Sequence, residues 1–361
     1  MSLITWAYPT PRGALMPPLT VKKLPDLGRR RTLTMAAAKG GIGKTTTNAH
    51  VAYPLAQFGM RVLLIDLDAN AGLSSVLGAW DRGPGVVEFL DSTEVPKEDC
   101  IRRPEGWQPS TDVPFADGGA LIPGGCVDIV PANSGVAESV GRQDVRSVKR
   151  LRRALNDDNF AVDRYDLVMI DIPGADTAVV DLAMQASEHL VLTLLPESQG
   201  LRGFSRTVMR ATVANEEDGL AFNVIGAVTS RYEKNRREHR DVMRVTRKFL
   251  SEQLGPDTLW LGLPVPSRAS VSDANRAQRP IATRSAWKDN ISNRTRSMDA
   301  VAAYSAIAIA IIRDVHGDEI ANRIVEAFVA EDLGEYPTKL LLSGVGVTRA
   351  PHQDDDYPEE D

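Results

Sequence analysis

The apolar and polar positions of this chain divide it into short, unbroken apolar runs and longer segments with helical spacing. Unbroken apolar runs of strand length are typical of strands that are buried on both faces of a parallel sheet. We predict such strands from Thr32 onward and at residues 61–66, 127–133, 165–171, 190–195 and 222–229. The pattern therefore predicts a sheet of mostly parallel strands.

Helical spacing occupies several of the segments between these runs. We predict helices over residues 44–58, 86–90 and 145–155, and one or two helices over 299–331. A strand, a helix and a second strand within residues 32–66 indicate a right-handed βαβ unit. The predicted fold is a single doubly wound α/β domain, with helices on both faces of the sheet.

Three segments depart from this pattern. Residues 1–30 contain five prolines and show no period, so we predict a flexible arm. Prolines and glycines interrupt residues 81–126, where we predict a surface insertion within a domain that covers residues 31–331. Residues 332–361 end in an acidic block and are predicted to be disordered.

The first predicted strand leads into a glycine-rich stretch, KGGIGKTTT, at residues 39–47. Glycines let a backbone approach a phosphate closely, and the N–H groups of a helix N-terminus present partial positive charge to it. Lys44 is expected to reach the β- and γ-phosphates, and the Thr45 hydroxyl is expected to contact Mg²⁺. The predicted nucleotide-binding residues are Gly40, Gly41, Ile42, Gly43, Lys44, Thr45 and Thr46. A simple turn would not need three glycines followed by Lys-Thr-Thr.

A second lysine stands at the head of this loop. The general phosphate-loop pattern has a glycine at position 38, but this chain has Ala38, and Lys39 follows it. The two-lysine loop resembles the deviant Walker A motif of the ParA/MinD family of ATPases. The resemblance implies ATP or ADP and Mg²⁺ as cofactors. It also implies that Lys39 crosses a dimer interface and contacts the nucleotide of the partner subunit.

Two acidic segments follow in the order found in that family. Residues 66–70, DLDAN, resemble its DxDPQ motif but lack the proline and the glutamine. The resemblance implies that Asp68 orients the attacking water and that Asp66 supports the metal. Asp171 ends an apolar strand in the Walker B arrangement, where it is expected to hold Mg²⁺ or position the hydrolytic water. Taken alone, either segment is also compatible with a strand end that carries solvated acids.

A later segment resembles the part of the family that lies along the adenine base. It comprises residues 263–268 and 271–274. The resemblance places Pro266, Ser267 and Arg268 near the base. A proline turn that enters a helix is an equally good interpretation of the same residues.

The distribution of charge raises the question of nucleic acid. The whole chain has a net charge of −6, which argues against polyanion binding by bulk charge. Residues 231–248 reverse this balance, with eight basic residues and three acidic ones. In ParA-like proteins the equivalent loop and helix bind DNA without reading its sequence, which implies DNA contacts by Lys234, Arg236, Arg237, Arg240 and Arg276. Charge alone would favour a solvated helix with internal ion pairs.

The resemblance implies a function in DNA partition. A partition ATPase of this kind forms a homodimer with ATP, binds non-specific DNA and hydrolyses ATP slowly until a ParB-like partner stimulates it, in the cytoplasm and on the nucleoid. Two alternatives remain open: an ATPase that positions a protein cargo along the nucleoid, and a metabolic or metal-handling ATPase. The two cysteines have no CxxC spacing, which argues against cluster-bearing relatives. The acidic tail argues against a MinD-like membrane role.

Overall fold

The computed structural model describes most of the chain between Arg31 and Ala330. Within residues 31–330, the residues not described are 38–39, 81–82, 134, 137–138, 140–148, 158–159, 161–163, 175–177, 199, 201–203, 205, 208–222, 255–259 and 284–290. The predicted arm at residues 1–30, the predicted tail at 332–361 and the signature residue Lys39 therefore lie outside the described residues.

Six parallel strands form one sheet at the centre of the described structure. In chain order they are β1 (Arg31–Ala36), β2 (Arg61–Asp66), β3 (Cys126–Val130), β4 (Leu167–Asp171), β5 (His189–Leu194) and β6 (Asn223–Thr229). Their order across the sheet is β3-β2-β4-β1-β5-β6. Each strand begins within two residues of its predicted start, and the doubly wound α/β fold is confirmed.

Helices cover both faces of this sheet. They are α1 (Lys44–Gln57), α2 (Gly72–Leu77), α3 (Val86–Asp91), α4 (Arg150–Leu155), α5 (Ala178–Ala186), α6 (Arg237–Leu254), α7 (Ala269–Arg276), α8 (Ile291–His316) and α9 (Asp318–Ala330). Helix α1 ends one residue before its predicted end, and just beyond it Gly59 adopts a left-handed φ of 89° and donates its N–H to the Ala56 carbonyl.

Successive residues of each strand enter two different hydrophobic cores. In β2, for example, Val62 and Leu64 lie in a first core with α1, α2, α7, α8 and α9, whereas Leu63 and Ile65 lie in a second core with α3, α4, α5 and α6. Both faces of the strand are thus apolar, which explains the unbroken apolar runs of the sequence. The basic helix α6 and the helix α7 consequently lie on opposite faces of the sheet.

The longest apolar run of the sequence, residues 300–312, lies within α8. Every residue of the run except Val301 is buried. Within the described residues, no helix is both long enough and apolar enough to cross a membrane.

The prediction of a surface insertion at residues 81–126 requires correction. Trp107 has no exposed surface, and its indole N–H donates to the Gln278 carbonyl at 3.0 Å. Ile122 is also fully buried, and its N–H donates to the Gln57 carbonyl at the end of α1. Beyond the predicted helix α3, the segment consists of short single turns separated by prolines, and Trp107 and Ile122 enter the core that contains α1. Such turns have no helical or strand period that the sequence could reveal.

Candidate active site

A cavity of about 500 Å³ lies at the carboxyl edge of the sheet. The phosphate loop, the segments after β2 and β4 and one residue after β6 surround it. The lining residues are Gly40, Gly41, Gly43, Lys44, Thr45, Thr46, Asp68, Asn70, Ile172, Pro173, Gly174 and Arg231. Three segments that are far apart in the chain, and that were predicted to serve one nucleotide, therefore meet at one place.

The backbone of the phosphate loop requires glycine. Gly41 and Gly43 have left-handed φ values of 72° and 90°, and Gly43 is the N-cap of α1. A Cβ at Gly40 or Gly41 would meet no atom within 4 Å, so the loop leaves open space at these two positions. A Cβ at Gly43 would instead lie 3.2 Å from the Ser230 Cβ. The loop thus leaves space for a ligand at Gly40 and Gly41, whereas Ser230 packs against it at Gly43.

Ser230 provides that support from the end of β6. Its hydroxyl donates to the carbonyl of Ile42, which is itself buried. The predicted residue Ile42 therefore contributes to the loop through its backbone and not through its side chain. Sequence reasoning did not identify Ser230, although its position directly after an apolar strand is a detectable signal.

Lys44 is buried in the wall of the cavity. Its exposure is 5%, and burial lowers the pKa of its ammonium group, while the nearby carboxylates of Asp171 and Asp68 act in the opposite direction. A buried cation beside an open glycine loop fits a phosphate chain, which would compensate the cost of removing the charge from water.

Asp171 accepts two hydrogen bonds from α1. The Thr45 hydroxyl donates to Oδ2 at 2.8 Å, and the Asn48 amide donates to Oδ1 at 2.7 Å. Asp171 is fully buried, and burial raises the pKa of its carboxyl group. A hydroxyl and a carboxylate are oxygen ligands of the kind that Mg²⁺ prefers, so Thr45 and Asp171 fit the predicted metal site.

Asp66 has a different set of partners. Its Oδ2 accepts from the N–H and the hydroxyl of Ser74 at 2.8 and 2.7 Å, and its Oδ1 accepts from the N–H of Asp68 at 3.1 Å. Burial and the neighbouring Asp171 raise the pKa of Asp66. These contacts fix the loop that carries Asp68. A contact between Asp66 and a metal remains a prediction.

Asp68 lies in the cavity wall, as its predicted role requires. Its Oδ1 accepts from the N–H and the side-chain amide of Asn70, each at 2.9 Å. Asn70, which replaces the glutamine of the family motif, therefore orients Asp68 and also lines the cavity.

The adenine candidates lie beside the site rather than among the residues that line this cavity. The Tyr232 N–H donates to the Val265 carbonyl at 2.8 Å, and the Ser267 N–H donates to the Tyr232 carbonyl at 3.0 Å. Residues 265–267 thus run along the backbone next to Arg231, which does line the cavity. Arg268 forms an ion pair with Asp299 of α8.

The basic segment is both exposed and paired. The side chains of Arg237 and Arg244 are 89% and 81% exposed, and both approach Asp241 at 3.6 Å. Arg236 approaches Glu238 at 3.2 Å, and Arg240 donates to the Lys234 carbonyl at 2.9 Å. Exposed ion pairs of this kind contribute about 0–1 kcal/mol, so they leave the side chains available to other anions.

Arg276 stands apart from this segment. It lies on α7, where it pairs with Asp273 at 3.1 Å and is 79% exposed. Helices α7 and α6 pack against opposite faces of the sheet.

Comparison with known proteins supplies independent evidence. A profile of the AAA domain family matches residues 30–217. A virulence plasmid ParA family protein of Chlamydia muridarum is 31% identical over 180 residues, which cover 49% of this chain and 59% of that protein. The chromosome-partitioning ATPase Soj of Thermus thermophilus is 30% identical over 205 residues, which cover 56% of this chain and 70% of Soj. The chain spans less than two thirds of several curated relatives.

Solved structures share the fold at lower identity. Cobyrinic acid a,c-diamide synthase from Mycobacterium smegmatis, with bound ADP and magnesium, matches 79% of this chain and 95% of its own. The TM-score is 0.57 and the identity is 22%. This likeness concerns the fold alone, which is common to enzymes with different substrates.

Proposed function

Because the chain belongs to the ParA/MinD family of ATPases, we propose that it is an ATP-dependent DNA partition protein. The observation that supports the nucleotide part most directly is the hydrogen bond from Thr45 to Asp171 beside an open glycine loop. Lys44, Gly40, Gly41 and the remaining loop residues bind the phosphates of ATP in this proposal.

Each polar residue then has a separate task in hydrolysis. Lys44 contacts the β- and γ-phosphates, while Thr45 and Asp171 hold Mg²⁺. The metal supplies neutralisation of the charge that develops on the phosphate oxygens. Asp68, oriented by Asn70, positions the attacking water, and Pro266, Ser267 and Arg268 contact the base. Hydrolysis is slow until a partner protein stimulates it.

Dimerisation and DNA binding complete the proposal. Lys39 reaches the nucleotide of a second copy, so that dimerisation requires ATP. The exposed basic segment that begins beside the cavity contacts DNA phosphates through Lys234, Arg236, Arg237 and Arg240, with Arg276 as a further contact. Phosphate contacts by scattered basic side chains give salt-sensitive binding that does not depend on sequence.

A titration with non-specific duplex DNA tests this function. DNA affinity is measured in ATP, in ADP and without nucleotide, at two salt concentrations. We expect tight, salt-sensitive binding only with ATP. We also expect Lys39→Ala and the double variant Arg236→Ala/Arg237→Ala to lose it, whereas Arg323→Ala on α9 keeps it.

The rival class is a metabolic ATPase of the same fold, such as an amide-forming synthetase. It predicts intact ATP binding with no DNA binding in any nucleotide state. That result would contradict the partition proposal and would equally exclude a positioning ATPase that uses the nucleoid as its track.

A further inference from the structure

The side-chain amide of Asn275 joins α7 to the phosphate loop. Asn275 Oδ1 lies 2.8 Å from His50 Nε2 on α1, and Asn275 Nδ2 lies 3.3 Å from the Thr46 hydroxyl oxygen. Thr46 lines the cavity, and it directly follows the Thr45 that contacts Asp171. One amide therefore contacts both the nucleotide site and a residue of the first core.

The hydrogen bonds of His50 determine how this amide is oriented. The N–H of Ile281 donates to His50 Nδ1 at 3.2 Å, so Nδ1 must be the acceptor nitrogen. The proton of the neutral imidazole is then on Nε2, which donates to Asn275 Oδ1. Because the oxygen of the amide faces His50, its NH₂ group faces Thr46.

His50 is itself held firmly in this state. It is 1% exposed and stacks on Tyr304, with the ring centroids 5.2 Å apart. The centroid of the Trp107 ring lies 5.5 Å from that of His50. Burial lowers the pKa of His50 to about 4, so the neutral imidazole persists throughout the neutral range. The amide consequently presents the same donor to Thr46 at every pH at which the protein would act.

The hydrogen bond from the Asn275 amide determines the direction in which the Thr46 hydroxyl can donate its proton. Its oxygen accepts from the amide, which leaves its own proton to donate toward the cavity. We propose that Asn275 is a positioning residue that turns the Thr46 hydroxyl toward a phosphate oxygen of the nucleotide and thereby couples nucleotide binding to α7. This inference rests on the proposed function, since it requires a nucleotide in the cavity.

The coupling has a defined route, because Asn275 and Gln278 attach α7 and the residues just beyond it to two different elements, in addition to the hydrogen bond at 2.8 Å between Ser270 of α7 and Ser297 of α8. Asn275 ties it to the phosphate loop, and the Gln278 amide just beyond it donates to the Ser75 carbonyl of α2 at 3.2 Å. Only the first attachment involves a residue of the cavity. Gln278→Ala is therefore a matched control, which removes an amide from the same segment without touching Thr46.

Calorimetric titration with ADP and Mg²⁺ tests the inference in a double-mutant cycle. We expect Asn275→Ala to weaken ADP binding roughly fivefold and Thr46→Val to weaken it similarly, because each removes one oriented hydrogen bond. The double variant should be no weaker than Thr46→Val alone. Gln278→Ala should bind ADP like the wild type.

Asn275→Asp provides a second, nearly isosteric variant. It keeps an acceptor for His50 but replaces the donor that faces Thr46, so the Thr46 hydroxyl would turn toward the carboxylate. We expect a loss of ADP affinity of roughly tenfold or more, since a negative charge also enters the site. Hydrogen exchange across residues 269–276 should slow on ADP binding in the wild type but not in Asn275→Ala.

The outcomes separate this inference from the function on which it rests. The positioning role alone would be overturned if Asn275→Ala and Asn275→Asp left the affinity for ADP unchanged. It would also be overturned if Asn275→Ala reduced the affinity for ADP by the same factor in the wild type and in Thr46→Val. A wild-type protein that binds no ADP would overturn the proposed function as well.

Discussion

At the scale of single residues, Gly43 connects the shape of the phosphate loop to its function. Its left-handed φ and its closeness to Ser230 both exclude a side chain. We predict that Gly43→Ala abolishes measurable ADP binding in calorimetry, because the loop must move before a Cβ fits. Left-handed strain in a non-glycine residue costs about 1–2 kcal/mol, so the fold should survive and retain its circular dichroism spectrum.

Gly317 provides the matched control for this substitution. It also has a left-handed φ, of 96°, but a Cβ there would meet no atom within 4 Å. Gly317→Ala should lower the free energy of unfolding by a similar amount and leave ADP binding intact. Loss of binding in both variants would indicate a global effect of backbone strain and contradict the local explanation.

His50 makes the stability of the protein depend on pH. Its pKa is lowered to about 4 in the folded state, mainly by burial, whereas an unfolded histidine has a pKa near 6.5. Protonation therefore favours the unfolded chain, and His50 reduces stability as the pH falls from about 6.5 to 4. We predict that His50→Gln is less stable than the wild type at pH 7 and that the difference narrows by about 2–3 kcal/mol at pH 4.5.

Urea unfolding at pH 7, 5.5 and 4.5 measures this difference. Comparing the two proteins at each pH cancels the contributions of the other titrating groups. A difference that stays constant or widens toward low pH would show that His50 accepts a proton readily within the core.

At the scale of elements, α6 carries acids that restrain its own basic side chains. Asp241 lies between Arg237 and Arg244 and approaches both at 3.6 Å. We predict that Asp241→Asn raises the affinity for non-specific duplex DNA severalfold in the ATP state, because one negative charge leaves the surface. The steepness of the salt dependence should increase or stay constant.

Asp318→Asn on α9 is a suitable control, since it also removes an acid that pairs with an arginine. It should leave DNA affinity unchanged. Equal increases in both variants would point to net charge as the cause, and unchanged affinity in Asp241→Asn would place the DNA surface elsewhere.

The same scale shows what could be predicted from the sequence. The strands and α1 were predictable because apolar periodicity and glycine spacing are local signals. The burial of Trp107 and Ile122 was not, because the contact between Trp107 and Gln278 spans more than 150 positions and leaves no local pattern. The loop and the acids of the site were found by motif, whereas Asn48, Ser230 and Asn275 act through distant partners.

At the scale of the whole molecule, the sheet belongs to both cores. Trp107 lies in one core and Phe89 lies in the other, and both are fully buried. We predict that Trp107→Ala and Phe89→Ala each lower the free energy of unfolding by about 3–5 kcal/mol. In each variant, far-ultraviolet circular dichroism and tryptophan fluorescence should follow one coincident transition, because neither core exists without the shared strands.

Val113→Ala is the control for these two substitutions, since Val113 is 40% exposed, and it should change stability by less than about 0.5 kcal/mol. Different unfolding midpoints by circular dichroism and by tryptophan fluorescence would show that the two cores unfold independently and that the sheet does not couple them.

The place of Arg231 in the cavity wall has a consequence for engineering. Arg231 lines the cavity, and the basic segment starts at the same residue and continues into α6. A chimera that exchanges residues 231–248 for those of a relative would replace part of the nucleotide chamber together with the cationic helix. Among the described residues, Arg231 is the one residue that belongs both to the cavity lining and to the basic segment. A crossover placed after Arg231 would therefore transplant the basic helix without replacing that part of the cavity wall.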